Sequence, residues 1–334
     1  MTHSTAEIEQ IIKLHFNDPT ANLMIEGDPG CGKTSIPKQI AAAYGIPFYY
    51  WNAPITEATE IGGIPYVDAD NNMQYALQTN FPTSGPAIIL IDEITKADRI
   101  TMNCLSEICQ ERTLRGRKLS DQCLIIATGN PRSNRAGDNE MPTHMRDRFT
   151  FYKMVADAKA WLGYAIANGF DPIVRAFIDR FSEQGYLSKF DPSQQSSPSP
   201  RGWERVSKLM SAFNTPATEH LIFSMVSGTV GEGMAHEFEA FRRLASKLPS
   251  TASIFADPMN ADTFAMEKSI QYLLITQLAT DVTKKTANAF FTYISRLDAD
   301  MAVVGVYAIH TRDASLMECS EGVMWSARNT KFMI

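Results

Sequence analysis

A chain of 334 residues is too long for one small hydrophobic core, so two or three domains are expected, and 44% apolar with 20% charged residues describes a globular protein. The net charge of −6 provides no overall positive field for a nucleic-acid backbone. No run approaches the roughly 18 apolar residues of a membrane helix, and "MTHSTAEIEQIIKLHF" carries acids inside its apolar run and no cleavage pattern, so a cytoplasmic protein without a signal peptide is expected.

In chain order, the first strand signal is the apolar run at 22–26. It leads into "GDPGCGKTS" and then a helical stretch, and Gly27, Gly32, Lys33 and Thr34 spell G-x-x-x-x-G-K-[ST]. In such a turn, backbone N–H groups and a helix N-terminus converge on phosphates, and glycines permit the close approach. Gly27, Asp28, Pro29, Gly30, Cys31, Gly32, Lys33, Thr34 and Ser35 are therefore expected to bind ATP. Lys33 would neutralise phosphate charge and Thr34 would ligate Mg2+.

A second strand is expected at 46–51, followed by a connection, 56–85, too long to be an ordinary loop. Residues 87–91 read as a fully buried parallel strand ending on Asp92 and Glu93. Ligands of open α/β sheets lie at the carboxyl ends of the strands, which places Asp92 beside the Thr34-bound metal and Glu93 where it can polarise the attacking water. The basic stretch "RTLRGRKL" at 112–119 reads as a solvated turn. Another buried strand, 123–128, leads to Asn130, whose amide could hold the same water or sense the γ-phosphate.

The last strand, 149–155, is preceded by "MPTHMRDRF", with Arg146 and Arg148 flanking Asp147. On the residues alone, an ion pair with a neighbouring carboxylate is as good a reading of these arginines as any functional one. Beyond the strands, a Ser/Pro linker "SQQSSPSP" precedes Arg201 at a helix start, with Trp203, Val206 and Leu209 or Met210 at helical spacing. "GEGMAHEFEAFRRLASKL" sets Met234, Phe238, Phe241 and Leu244 on one stripe, read as core. The residues after 251 look helical and carry no motif. Five scattered cysteines and six dispersed histidines fit buried thiols and structural roles better than a disulfide frame or a zinc site.

Taken in order, these motifs resemble the AAA+ ATPases and, within them, the MoxR group with its CbbQ- and NorQ-like activators, over roughly residues 20–245. "GDPGCGKT" is similar to the family's Walker A, "IILIDE" to Walker B, "IIATGNP" to sensor 1, and "LSEICQERTL" to the helix and turn between the last two. The resemblance implies that Arg148, just before a Phe at a strand start, projects into the ATP site of a neighbouring subunit, with Arg146 in reserve. It also implies that Arg201 is the lid arginine that reaches the nucleotide from its own subunit. The catalytic set is then Glu93, Asn130, Arg148 and Arg146, and the metal set Thr34 and Asp92. Residues 56–85 resemble the MoxR helix insertion facing a central channel, which makes Ile61, Gly62, Gly63 and Tyr66 candidates for client contact.

The expected fold is α/β, a P-loop NTPase parallel sheet sandwiched by helices over 1–155, followed by a helical lid over 156–250 and a helical C-terminal extension over 251–334. The implied function is Mg2+-dependent ATP hydrolysis by a homo-oligomeric, hexameric ring that remodels or activates a client or adaptor protein, such as a von Willebrand factor A-type partner. Two rivals stand beside it. A nucleic-acid motor or loader is disfavoured by the acidic balance and the lack of a DNA-binding motif. A nucleotide-switched scaffold with little turnover is disfavoured by intact Glu93 and Arg148.

Overall fold

The computed structural model describes residues 1–76, 81–131, 141–213, 218–245, 248–264 and 268–329. They divide into two compact units, Met1–Asp157 and Ala158–Ile334.

The first unit contains β1 (Thr2–His3), α1 (Thr5–His15), β2 (Asn22–Gly27), α2 (Ser35–Tyr44), β3 (Phe48–Asn52), α3 (Ala58–Gly62) and a hairpin of β4 (Ile64–Val67) and β5 (Met73–Ala76). It continues with β6 (Ala87–Asp92), α4 (Arg99–Glu111), a short hairpin of β7 (Thr113–Leu114) and β8 (Arg117–Lys118), β9 (Cys123–Gly129), α5 (Thr143–Arg146) and β10 (Phe149–Met154). Six strands form one parallel sheet in the order β1-β10-β2-β9-β6-β3. The expected P-loop-type sheet is thus present, with one added edge strand.

Alternation along the strands fills both faces, as a sheet covered on both sides requires. Met24, Ile89, Ile91, Ile125 and Ala127 pack with Leu105 and Ile108 of α4 on one face. Leu23, Ile25, Ile88, Leu90, Leu124 and Ile126 pack with Ile8, Ile12, Ile36 and Ile40 of α1 and α2 on the other. α1 starts with a capping box: the Glu7 N–H donates to Ser4 Oγ at 3.2 Å and the Ser4 N–H to Glu7 Oε2 at 2.7 Å.

Three details differ from the sequence reading. The second strand starts at Phe48 rather than 46, because Gly45 closes α2 with φ 63° and the Ile46 N–H turns back to Ala41 O at 3.0 Å. The insertion is a short helix plus an antiparallel hairpin, in which Ile61, Gly62 and Gly63 are buried and only Tyr66 of the four client candidates is exposed; its residues 77–80 lie outside the described residues. The basic stretch is a solvated turn only in part, with Arg115, Gly116 and Lys118 exposed at the β7–β8 hairpin and Arg112 half-buried. Arg112 donates to Ser120 O at 2.9 Å and to Cys123 O at 2.5 Å, while Arg115 donates to Gly62 O at 3.2 Å and lies 4.4 Å from the Tyr75 ring centre. These guanidiniums fasten α4 and its following turn to the sheet and to the insertion.

The second unit is helical: α6 (Ala158–Ala167), α7 (Pro172–Arg180), α8 (Pro200–Phe213), α9 (Ile222–Val230), α10 (Glu232–Ala245), α11 (Thr251–Ala256), α12 (Lys268–Asp281), α13 (Ala287–Ile294), α14 (Ala299–Arg312) and α15 (Ser320–Arg328). Phe177 anchors one cluster, with ring centres 5.2 Å from Trp203 and 5.3 Å from Phe238. A second cluster gathers Leu274, Leu278, Phe290, Phe291, Ile294 and Trp325. The helices after residue 250 belong to the same compact unit as those before it, and Arg175 of α7 donates to Thr280 of α12 at 2.9 Å. On α10 the buried stripe is Ala235, Phe238, Phe241 and Ala245, with Leu244 exposed. Among the described residues no helix is long and apolar enough to cross a membrane.

Cys31, Cys109 and Cys123 are buried and unbonded, as the scatter of cysteines suggested. Burial pushes the thiols of Cys109 and Cys123 up to about 12, so both stay protonated at pH 8. Iodoacetamide at pH 8 is expected to spare these two in the native chain and to label all five cysteines after denaturation. Peptide mass mapping reads the result, and rapid native labelling of Cys109 or Cys123 would contradict the packing.

Candidate functional site

β2 runs directly into the glycine loop, whose Gly30 and Gly32 hold φ of 79° and 105°, a region that side-chain-bearing residues avoid. Gly27 is required for a different reason: a Cβ there would lie 2.8 Å from Met154 O and 3.0 Å from Cys31 Sγ. Lys33 is 9% exposed, and its ammonium donates to Gly27 O at 2.5 Å and Asp28 O at 3.0 Å. Burial pulls the Lys33 pKa below the usual lysine range. Cys31, inside the loop, is buried, and its thiol is pushed up by the same cause.

Thr34 is the N-cap residue of α2, yet its hydroxyl makes no cap bond and instead donates to Asp92 Oδ2 at 3.1 Å. Asp92 ends β6. Its Oδ2 also accepts from the Tyr50 hydroxyl at 2.9 Å, and its Oδ1 accepts from the Thr128 hydroxyl. On the β3 side the ladder continues, with Asn52 in register with Asp92 and the Ala53 N–H donating to Asp92 O at 3.1 Å.

Glu93 follows with φ 53° and ψ 44°, left-handed backbone that costs a non-glycine residue roughly 1 to 3 kcal/mol. Its N–H donates to Thr128 Oγ1 at 3.0 Å, and its carboxylate pairs with Lys96 at 2.6 Å. Both partners of this ion pair are well exposed, so the pair contributes at most about 1 kcal/mol and leaves Glu93 free to turn toward a substrate. Asn130 follows β9, the strand between β2 and β6, and is half-buried. Glycine loop, Asp92, Glu93 and Asn130 therefore share the carboxyl edge of the sheet.

The arginines lie at the other edge. Arg146 ends α5, and Arg148 precedes β10, whose first residue, Phe149, is in register with Asn22 at the start of β2. Gly27 is five residues further along β2, roughly 17 Å away at about 3.3 Å per residue. An arginine side chain cannot span that distance, so neither guanidinium reaches the glycine loop of its own chain. The side chain of Asn22 fixes this corner by donating to Arg148 O at 3.0 Å and Cys109 O at 2.9 Å. Among the described residues, no ion pair ties Arg146 or Arg148 to a carboxylate, and both arginines are exposed; Asp138 and Glu140, the acids that precede them in the chain, lie outside the described residues. Arg201 is exposed on the first turn of α8, in the second unit.

Tyr50 and Thr128 were missed by the sequence reading. Thr128 had left one signal, a hydroxyl in a run that is otherwise apolar up to Gly129; Tyr50, one of four consecutive aromatics in β3, left none.

These residues suit a nucleotide phosphate and a divalent cation. The glycine loop bars side chains from the phosphate path, and Lys33 is a nearly buried cation beside it. Thr34, by giving its proton to Asp92, keeps its oxygen lone pairs for a hard cation.

Residues 22–149 match the family profile of the AAA domain, dynein-related subfamily. No curated protein matches the chain. Among solved structures, the RuvB Holliday junction branch migration motor of Thermotoga maritima is 13% identical, with 79% of this chain and 80% of that chain covered and a TM-score of 0.39. A protein of Cytophaga hutchinsonii described as a candidate ATPase is 14% identical, with 91% and 80% covered and a TM-score of 0.34. Scores at this level give no ground for a functional reading. Residues 22–149, which hold the glycine loop, the paired acids and most of the parallel sheet, are thus similar to the AAA domain of the dynein-related subfamily.

Proposed function

We propose that the chain is a Mg2+-dependent ATPase of the MoxR type that works as a homo-oligomeric ring, hexameric by family resemblance, and uses hydrolysis to remodel or activate another protein. The observation that carries the chemical half is the hydrogen-bonded chain Thr34–Asp92 with Glu93 beside it at the mouth of the glycine loop. Loop N–H groups and Lys33 bind the phosphates, while Thr34 and Asp92 hold Mg2+, which when bound offsets phosphate charge. Glu93 orients and accepts a proton from the attacking water, and Asn130 holds that water or senses the γ-phosphate. The oligomeric half is supported by Arg148 and Arg146, exposed at the sheet edge opposite their own glycine loop. Such a guanidinium can stabilise charge on a γ-phosphate only in a neighbouring copy. Arg201 is assigned to the nucleotide from the same chain by resemblance. The client half rests on resemblance, with exposed Ile64, Tyr66, Val67 and Met73 on the β4–β5 hairpin as the apolar surface available to a client or to a von Willebrand factor A-type adaptor.

Lys33→Ala is expected to abolish ATP binding, whereas Glu93→Gln binds ATP and loses on the order of 10² or more in kcat. Equilibrium binding of a fluorescent ATP analogue beside steady-state turnover separates the two, and undiminished turnover in Glu93→Gln removes Glu93 from its role. Arg148→Ala is expected to bind ATP normally and to hydrolyse it on the order of 10³-fold more slowly. Adding the Lys33→Ala chain, which donates an intact arginine, should restore part of that rate; no recovery on mixing would exclude action between copies. Client capture is tested by affinity purification from lysate with ATP-held Glu93→Gln. A specific protein retained only with ATP supports remodelling, and nuclease-sensitive nucleic acid in its place overturns it.

A further inference from the structure

The β6–β9 ladder stops one residue short of the site. Its last register pair is Ile91 with Ala127, although the next pair in sequence would be Asp92 with Thr128. At that step a side chain takes over from the main chain: the Thr128 hydroxyl accepts from the Glu93 N–H at 3.0 Å and donates to Asp92 Oδ1. A hydroxyl offers one donor and two acceptor sites, and this one uses both kinds on the two acids at once. Thr128 is 0% exposed and its backbone is in register with Ile25 of β2, so its position is set by the centre of the sheet. By contrast, the Tyr50 hydroxyl touches Asp92 and comes from an exposed residue of the edge strand.

We propose that Thr128 is a positioning residue for hydrolysis, holding the metal-site acid Asp92 and the left-handed backbone of Glu93 in one fixed relation through a single hydroxyl. This rests on the ATPase reading above. Without the hydroxyl, Asp92 keeps only the Thr34 and Tyr50 contacts to its Oδ2 and loses the one that fixes Oδ1, and the Glu93 peptide loses the partner that opposes its unfavourable backbone angle. Thr34 then presents its oxygen against a less fixed carboxylate, and Glu93 addresses the water from a range of directions.

Thr128→Val keeps the shape and removes the hydroxyl; Thr128→Ser keeps the hydroxyl and removes the methyl. Expected for Thr128→Val are a kcat lowered about 10- to 100-fold with KM for ATP within about threefold, and a comparable rise in the Mg2+ concentration that half-saturates Mg2+-dependent binding of a ribose-labelled fluorescent ATP analogue. Thr128→Ser should restore both most of the way. A purely structural threonine would lower the melting temperature without moving the Mg2+ half-saturation point or distinguishing serine from valine. If Thr128→Val fails to fold by circular dichroism, Thr128→Ala replaces it in the comparison with serine. A hydroxyl-free variant matching the wild type in kcat and Mg2+ response overturns the proposal, as does equal impairment of the serine and hydroxyl-free variants. A wild type that binds no ATP with Mg2+ overturns the ATPase reading and this proposal with it, whereas an active wild type beside an equally active Thr128→Val overturns the proposal alone.

Discussion

Parallel pairing of β2, β9 and β6 is the constraint from which the site follows. Strands that run the same way deliver their carboxyl ends to one edge, and here those ends are the glycine loop, Asn130, and Asp92 with Glu93. The same direction sends the residue just before β10, Arg148, to the far edge. Had β10 run antiparallel, Arg148 would stand at the same edge as its own glycine loop. The polarity of one strand therefore separates Arg148 from the groups gathered at the glycine loop of its own chain.

The glycine loop, the paired acids and the buried strands were legible because each has a local signature. Gly27, Lys33 and Thr34 stand at fixed offsets, and the wholly apolar run at 87–91 can only be covered on both faces. The roles of Tyr50 and Thr128 were not legible, since each depends on register between strands far apart in sequence. Thr128 meets Asp92 across 36 positions, and no periodicity within either strand announces that meeting. The edge strand β1, two residues long, is too short to leave a pattern, and the start of β3 was obscured by apolar Ile46, which closes α2.

The basic stretch shows a different limit. Charge density marked Arg112 and Arg115 as solvent-facing, and although Arg115 is exposed, both place their guanidiniums on carbonyls and, for Arg115, on an aromatic ring. Arginine carries five donors on a planar fork, and a chain that must tie an irregular connection to a sheet can use it as a multi-point fastener. The insertion is consequently held at Gly62, while Ile64, Tyr66, Val67 and Met73 on the strands of its hairpin remain outside the core.

Glu93 occupies backbone space that glycine enters without steric cost, and its neighbours Asp92 and Ile94 do not share it. A glycine at this position would relieve strain on the order of 1 kcal/mol while deleting the carboxylate. The carboxylate thus sits at the mouth of the glycine loop against the local conformational preference of its own residue type, so at this one position the fold gives up stability to hold an acid.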